Sequence, residues 1–140
     1  MIRYFFEEIS QFAFDRQSLR RVLNSIVKDH GYSVGEINVV FCSDAYLLEM
    51  NRNFLQHDYY TDIITFGGSD KDVINGELYI SIDRVIENAA TYNVIFQKEL
   101  YRVACHGCLH LVGYGDSTEE EVTMIRAKED LYINRINNQI

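Results

Sequence analysis

No proline occurs anywhere in the 140 residues, so no proline-rich linker stiffens or divides the chain. Basic side chains are in deficit, 13 Lys and Arg against 21 Asp and Glu, for a net charge of −8. That balance argues against a surface that grips nucleic-acid phosphates by bulk charge, so any such contact has to use a local patch. Arg16, Arg20 and Arg21 could form one, although a solvated helix face explains them equally well. Cysteine is scarce and odd in number: Cys42, Cys105 and Cys108 do not make a disulfide framework. Cys105-x-x-Cys108 looks like half a zinc ribbon without its second half, and both read more simply as small core residues. No apolar run reaches the length of a membrane span. Residues Met1 to Glu8 mix Arg3, Glu7 and Glu8 among apolar neighbours, unlike a signal or transit peptide. The expectation is a soluble, cytoplasmic protein with no membrane partner. With 47% hydrophobic residues and no repeat, the chain suits a single domain over residues 1–140.

Periodicity and punctuation order the elements. Ile2 to Phe6 reads as a strand. Asp15 can cap a helix from about Arg16 to His30, with Leu19, Val22, Leu23, Ile26 and Val27 as its apolar stripe and Gly31 at its end. Glu36 to Cys42 reads as a second strand, and Ser43 caps a helix to about Phe54. After a polar loop, Leu55 to Tyr60, a third strand covers Thr61 to Phe66; Gly67 to Asn75 reads as a turn-rich connection, and Gly76 to Ser81 as a fourth strand. Helices follow over about Asp83 to Tyr92, from about Ile95 or Phe96 to Val112, and from a Ser117-Thr-Glu-Glu120 capping box to about Asn137. The acidic run Glu119 to Glu121 suits a helix's first turn and needs no catalytic role. The sum is an α+β fold, a mixed sheet of about four strands with about five helices.

Chemistry concentrates in His106-Gly-Cys-Leu-His110-Leu-Val-Gly113-Tyr-Gly-Asp116. Helical residues at i and i+4 lie one above the other, so His106 and His110 point the same way. Gly113 can end the helix in a left-handed conformation and turn Asp116 back toward them. Two imidazoles, one carboxylate and an open fourth position describe a catalytic zinc site. Two independent backbone hydrogen bonds could also satisfy the pair, since burying imidazoles without partners is costly. At about 100° per residue, Cys105 and Cys108 fall on another side of this helix, which should be largely buried.

The spacing matches the H-E-x-x-H-x-x-G-x-x-H metallopeptidases except at their general base: Gly107 stands where the glutamate would be, which disfavours that mechanism. The segment more closely resembles the signature of the YbeY family of metal-dependent endoribonucleases, H-G-x-L-H-L-x-G-Y-x-H, through His106, Gly107, Leu109, His110, Leu111, Gly113 and Tyr114. Met50-Asn51-x-x-Phe54, Asp58 and Thr61-Asp62-Ile-Ile-Thr-Phe66 resemble the family's L-N-x-x-Y-R-x-x-D-x-P-T-D-V-L-S-F segment, and Gly76 to Ser81 its G-D-I-x-I-S strand. The chain departs from the pattern in three ways. Asp116 replaces the third ligand histidine, which should leave the metal a somewhat weaker Lewis acid. Leu55 replaces an arginine, for which Arg52 is one turn away. Two prolines become Tyr60 and Gly67.

The resemblance implies cleavage of single-stranded RNA, a role in ribosomal RNA maturation and ribosome quality control, and ribosomal RNA and ribosomal proteins as partners. One zinc ion on His106, His110 and Asp116 would leave a vacant position, lower the pKa of bound water toward about 7 and withdraw charge from a phosphoryl oxygen. The nucleophile is then that water or the RNA 2′-hydroxyl; the residues do not choose. His57 is a possible acid or base, though an exposed loop histidine is the simpler reading. Asp62 could orient a ligand histidine through its second ring nitrogen or cap its own loop. Two other readings stay open: a zinc hydrolase of another class, and a ribosome-associated binding module with structural zinc.

Overall fold

A computed structural model describes residues 1–139. Along the chain run β1 (Ile2–Glu7), α1 (Arg16–Asp29), β2 (Ser33–Cys42), α2 (Asp44–Leu55), β3 (Ile63–Asp70), β4 (Val73–Ser81), α3 (Ile82–Tyr92), α4 (Phe96–Leu111) and α5 (Glu119–Gln139). The sheet has the order β1-β2-β4-β3; β1, β2 and β4 are mutually parallel and β3 lies antiparallel on the edge, so the sheet is mixed, as expected.

Strand alternation sorts side chains onto two faces. Ile2, Ile37, Val39, Phe41, Ile74, Leu78 and Ile80 join the α1 stripe and Leu100, Ala104, Cys108 and Leu109 of α4 in the main core. On the opposite face α2 covers a smaller cluster of Cys42, Leu47 and Ile64. Capping follows the local rules: Asp15, Ser43 and Ser81 accept from Ser18, Tyr46 and Arg84 backbone N–H groups, each satisfying a donor left over at a helix start.

Three local expectations need correction. The stretch Gly67 to Asn75 is the tip of a β-hairpin: β3 runs to Asp70 and β4 starts at Val73. Glycine hid this, because Gly67 pairs with Gly76 and a Cβ on Gly67 would lie 2.3 Å from the Asn75 carbonyl oxygen; backbone packing rather than β propensity sets the strand. Strand β2 begins at Ser33, not Glu36, its register shifting between Val34 and Ile37 in a bulge-like irregularity that alternation cannot register. The capping box is one residue later than expected. Thr118 Oγ1 accepts from Glu121 N–H at 3.1 Å, and the Glu121 carboxylate accepts from Thr118 N–H at 3.1 Å. The acidic run offers both registers, and local sequence cannot choose between them.

Candidate metal centre

Helix α4 passes through the middle of the molecule, with Val103, Ala104, Cys105, Cys108 and Leu109 buried. Gly107 is what lets it lie so close to the sheet. A Cβ there would meet Ile63 Cδ1 at 2.6 Å and Leu78 Cδ2 at 2.9 Å. The helix ends in a Schellman motif: Tyr114 N–H donates to Leu109 O and Gly113 N–H to His110 O, with Gly113 at φ +114°. That turn returns the chain over the last helical turn. Tyr114 is tied further by its hydroxyl, 2.8 Å from His30 Nε2 at the end of α1.

His106, His110 and Asp116 converge as the spacing predicts. The two Nε2 atoms lie 2.9 Å apart, and Asp116 Oδ2 is 3.4 Å from the first and 3.3 Å from the second. Donors bound at about 2.0–2.1 Å around a tetrahedral zinc stand about 3.3 Å apart, so the triangle has nearly the size of such a site. Both imidazoles are about a quarter exposed.

Their outer nitrogens decide what faces inward. His110 Nδ1 donates to the Tyr114 carbonyl at 2.7 Å, an acceptor delivered by the Schellman turn. His106 Nδ1 donates to Glu129 Oε2 at 2.7 Å. Glu129 is buried and takes a second bond from Arg102 Nη1 at 3.1 Å; Arg102 in turn reaches Asp130 at 2.7 Å. With each Nδ1 committed as donor, neutral rings present bare Nε2 atoms. Two lone pairs and a carboxylate oxygen then converge with no donor among them. A proton or a cation must sit there. In the ion-free protein, burial pulls the His106 pKa down, but the hydrogen bond and charge of Glu129, with Asp62 and Asp116, outweigh it and leave the value raised. Among the described residues this is the group of His, Cys, Asp and Glu side chains suited to a metal ion.

The triangle opens on a cleft of about 510 Å³, lined by β3 (Ile63 to Thr65 and Gly67), Asn51, Leu55, His57, Tyr59, Thr61 and Asp62. His57 lies on the rim, exposed, with Nδ1 2.9 Å from the Tyr59 hydroxyl and the two rings stacked at 5.1 Å. Asp62 faces both this cleft and a second recess behind His106, and burial raises its carboxyl pKa despite the attraction of His106. Asp62 does not sit at the second ring nitrogen of His106; Glu129 does. Arg52 lines no part of the cleft and pairs with Asp58 on the surface. Cys105 and Cys108 are buried away from the site as free thiols.

Glu129 was invisible from the sequence. It lies 23 residues beyond His106 on a helix full of carboxylates. The one available hint is its position between Ile125 and Tyr132 and Ile133, on the buried side of α5.

The family model described as Endoribonuclease YbeY matches residues 5–137. The chain belongs to the YbeY endoribonuclease family. Endoribonuclease YbeY of Cytophaga hutchinsonii is 53% identical over 129 residues, 91% of this chain and 90% of the relative. That of Porphyromonas gingivalis is 40% identical, over 92% of this chain and 85% of the relative. The solution structure of TM1509 from Thermotoga maritima superposes with a TM-score of 0.71 at 31% identity, covering 99% of this chain and 91% of that one.

Proposed function

We propose that this YbeY-family endoribonuclease is zinc-dependent, cuts single-stranded RNA, and works in ribosomal RNA maturation and ribosome quality control, with ribosomal RNA and ribosomal proteins as its cytoplasmic partners. His106, His110 and Asp116 hold one zinc ion. The observation that carries this reading is the convergence of two Nε2 atoms and one carboxylate oxygen, all acceptors, at 2.9–3.4 Å. Bound zinc supplies Lewis acidity, drawing charge from a phosphoryl oxygen and easing deprotonation of water.

The chain's own residues do the rest. Glu129 and the Tyr114 carbonyl fix the tautomers and ring planes of the two histidines. Asp62 lines the cleft beside His106, where its carboxylate can take up and return a proton. The His57–Tyr59 stack offers an aromatic face at the cleft rim for an unpaired base.

The other two readings have less support. A peptidase-type glutamate at position 107 has no room, since even a Cβ crowds Ile63 and Leu78. A closed structural zinc site would need a fourth protein donor, and the group among the described residues has three.

The test is His110→Ala with elemental analysis and two substrates, unstructured RNA and casein. Wild-type protein should carry about one zinc ion per chain and cut the RNA, and the variant should lose both together. Cleavage surviving in zinc-free His110→Ala protein overturns the proposal; casein cleavage without RNA cleavage replaces it with a peptidase.

A further inference from the structure

The cleft of about 510 Å³ contains no Lys or Arg among its lining residues. That is a poor match to a polyanionic strand in a chain of net charge −8. Leu55 lines the cleft, and Arg52 is paired with Asp58 outside it. The missing cations lie on the other side of the metal centre.

Behind His106 a second recess of about 230 Å³ shares Asp62, His106 and Asp116 with the first cleft. Its walls come from α3, α4 and α5, and it continues into a third hollow of about 230 Å³ through Tyr92, Glu99, Arg102 and Arg126. Three cations face this path: Arg102, Arg126 and Lys98. Arg102 is committed to Glu129 and Asp130. Arg126 and Lys98 are exposed, and neither side chain makes a hydrogen bond or ion pair among the described residues. The recess also holds Asp62, Glu99, Asp116 and Glu129. Glu129 is tied to Arg102 and His106, Asp116 faces the two imidazoles, and burial raises the Glu99 pKa against the pull of Arg102 and Arg126. Tyr92 lies alongside, 62% exposed, with its ring available for stacking.

We propose that Arg126 and Lys98, with the exposed ring of Tyr92, form a subsite for an internucleotide phosphate and an adjoining base of single-stranded RNA. The strand crosses the His106–His110–Asp116 centre from the His57–Tyr59 side and runs on between α3, α4 and α5. This inference rests on RNA being the substrate.

The experiment compares zinc-loaded, full-length wild type with the Lys98→Gln/Arg126→Gln double variant and with Arg126→Lys, using a dodecauridylate substrate over a range of salt concentrations. The double variant should lose about tenfold in kcat/KM, mainly through KM. Its log–log salt dependence should flatten by about 0.7, for the loss of one phosphate contact. Zinc content should be unchanged, and Arg126→Lys should keep at least half of wild-type kcat/KM. A loss under threefold, an unaltered salt slope, or failure of Arg126→Lys to restore activity overturns the subsite while leaving the nuclease assignment standing. If wild type itself does not cut RNA, the nuclease assignment fails and the subsite falls with it.

Discussion

Helix α4 presents two faces to two different solvents. Cys105, Cys108 and Leu109 point into the core, fully buried, and burial pushes the Cys108 thiol up to about 12 and that of Cys105 well above the ordinary value. His106 and His110, interleaved with them in sequence, stand about a quarter exposed among Glu129, Asp116 and the Tyr114 carbonyl. Both faces carry residues able to bind zinc. What separates them is the neighbour each meets: the Cys108 thiol donates to the backbone oxygen of Leu23 in α1 at 3.8 Å, whereas the imidazoles meet carboxylates. Thiols without a nearby cation stay protonated and act as packing. Imidazoles held by an acceptor on one nitrogen can present the other bare, the form a metal ion needs.

The contrast can be broken from either side. Leu109→Ala, in the dry face, should have the largest effect on folding, a loss of about 2–5 kcal/mol for a fully buried leucine, read from urea unfolding. Zinc affinity of the folded fraction should hardly change. Glu129→Gln works from the wet face. It keeps the shape and removes the charge behind His106, and should weaken zinc binding about 10–100-fold, measured by competition with a chromogenic chelator. An unchanged affinity would mean that Glu129 serves folding alone. Gly107→Ala lies on the boundary. Crowding against Ile63 and Leu78 costs about 1–3 kcal/mol, helix propensity returns about 1 kcal/mol, and a net loss of about 1 kcal/mol should appear in thermal unfolding.

The smallest effect is expected at neither face. At the surface clamp between α1 and α5, Asp29 accepts from Arg135 and Tyr132, and the Arg135 bond holds its carboxyl below the ordinary value of 3.8. A depressed folded-state pKa contributes stability above pH 3.8, and the contribution disappears as pH falls through the folded value. Asp29→Asn should therefore cost less than about 1 kcal/mol near neutral pH and nothing in strong acid. Urea midpoints measured across pH 2–7 check this.

Local rules made much of the site legible. The i, i+4 pair and the glycine that ends α4 are short-range features, so the convergence of His106, His110 and Asp116 could be anticipated. The same held for the five helices, whose caps and apolar stripes lie within one or two turns. It failed where the deciding partner is remote. The tip of the β3–β4 hairpin is glycine-rich and reads as a loop until its pairing is known. Arg52 reads as an available cation in sequence, but Asp58 pairs with it in the fold. Asp62 looked suited to orient a histidine until α5 placed Glu129 there.

The amino-acid sequence alone determined which atoms could meet a metal, because one helical turn and one Schellman bend are enough to aim three side chains at a point. The tertiary structure alone decided what stands behind those atoms and around them: the carboxylate that sets the His106 tautomer, and the two recesses on either side, one without a Lys or Arg and one bordered by Arg102 and Arg126. Those depend on how α5 and the sheet dock against α4, contacts made by residues tens of positions apart, and no periodicity within a segment records which distant side chain will arrive.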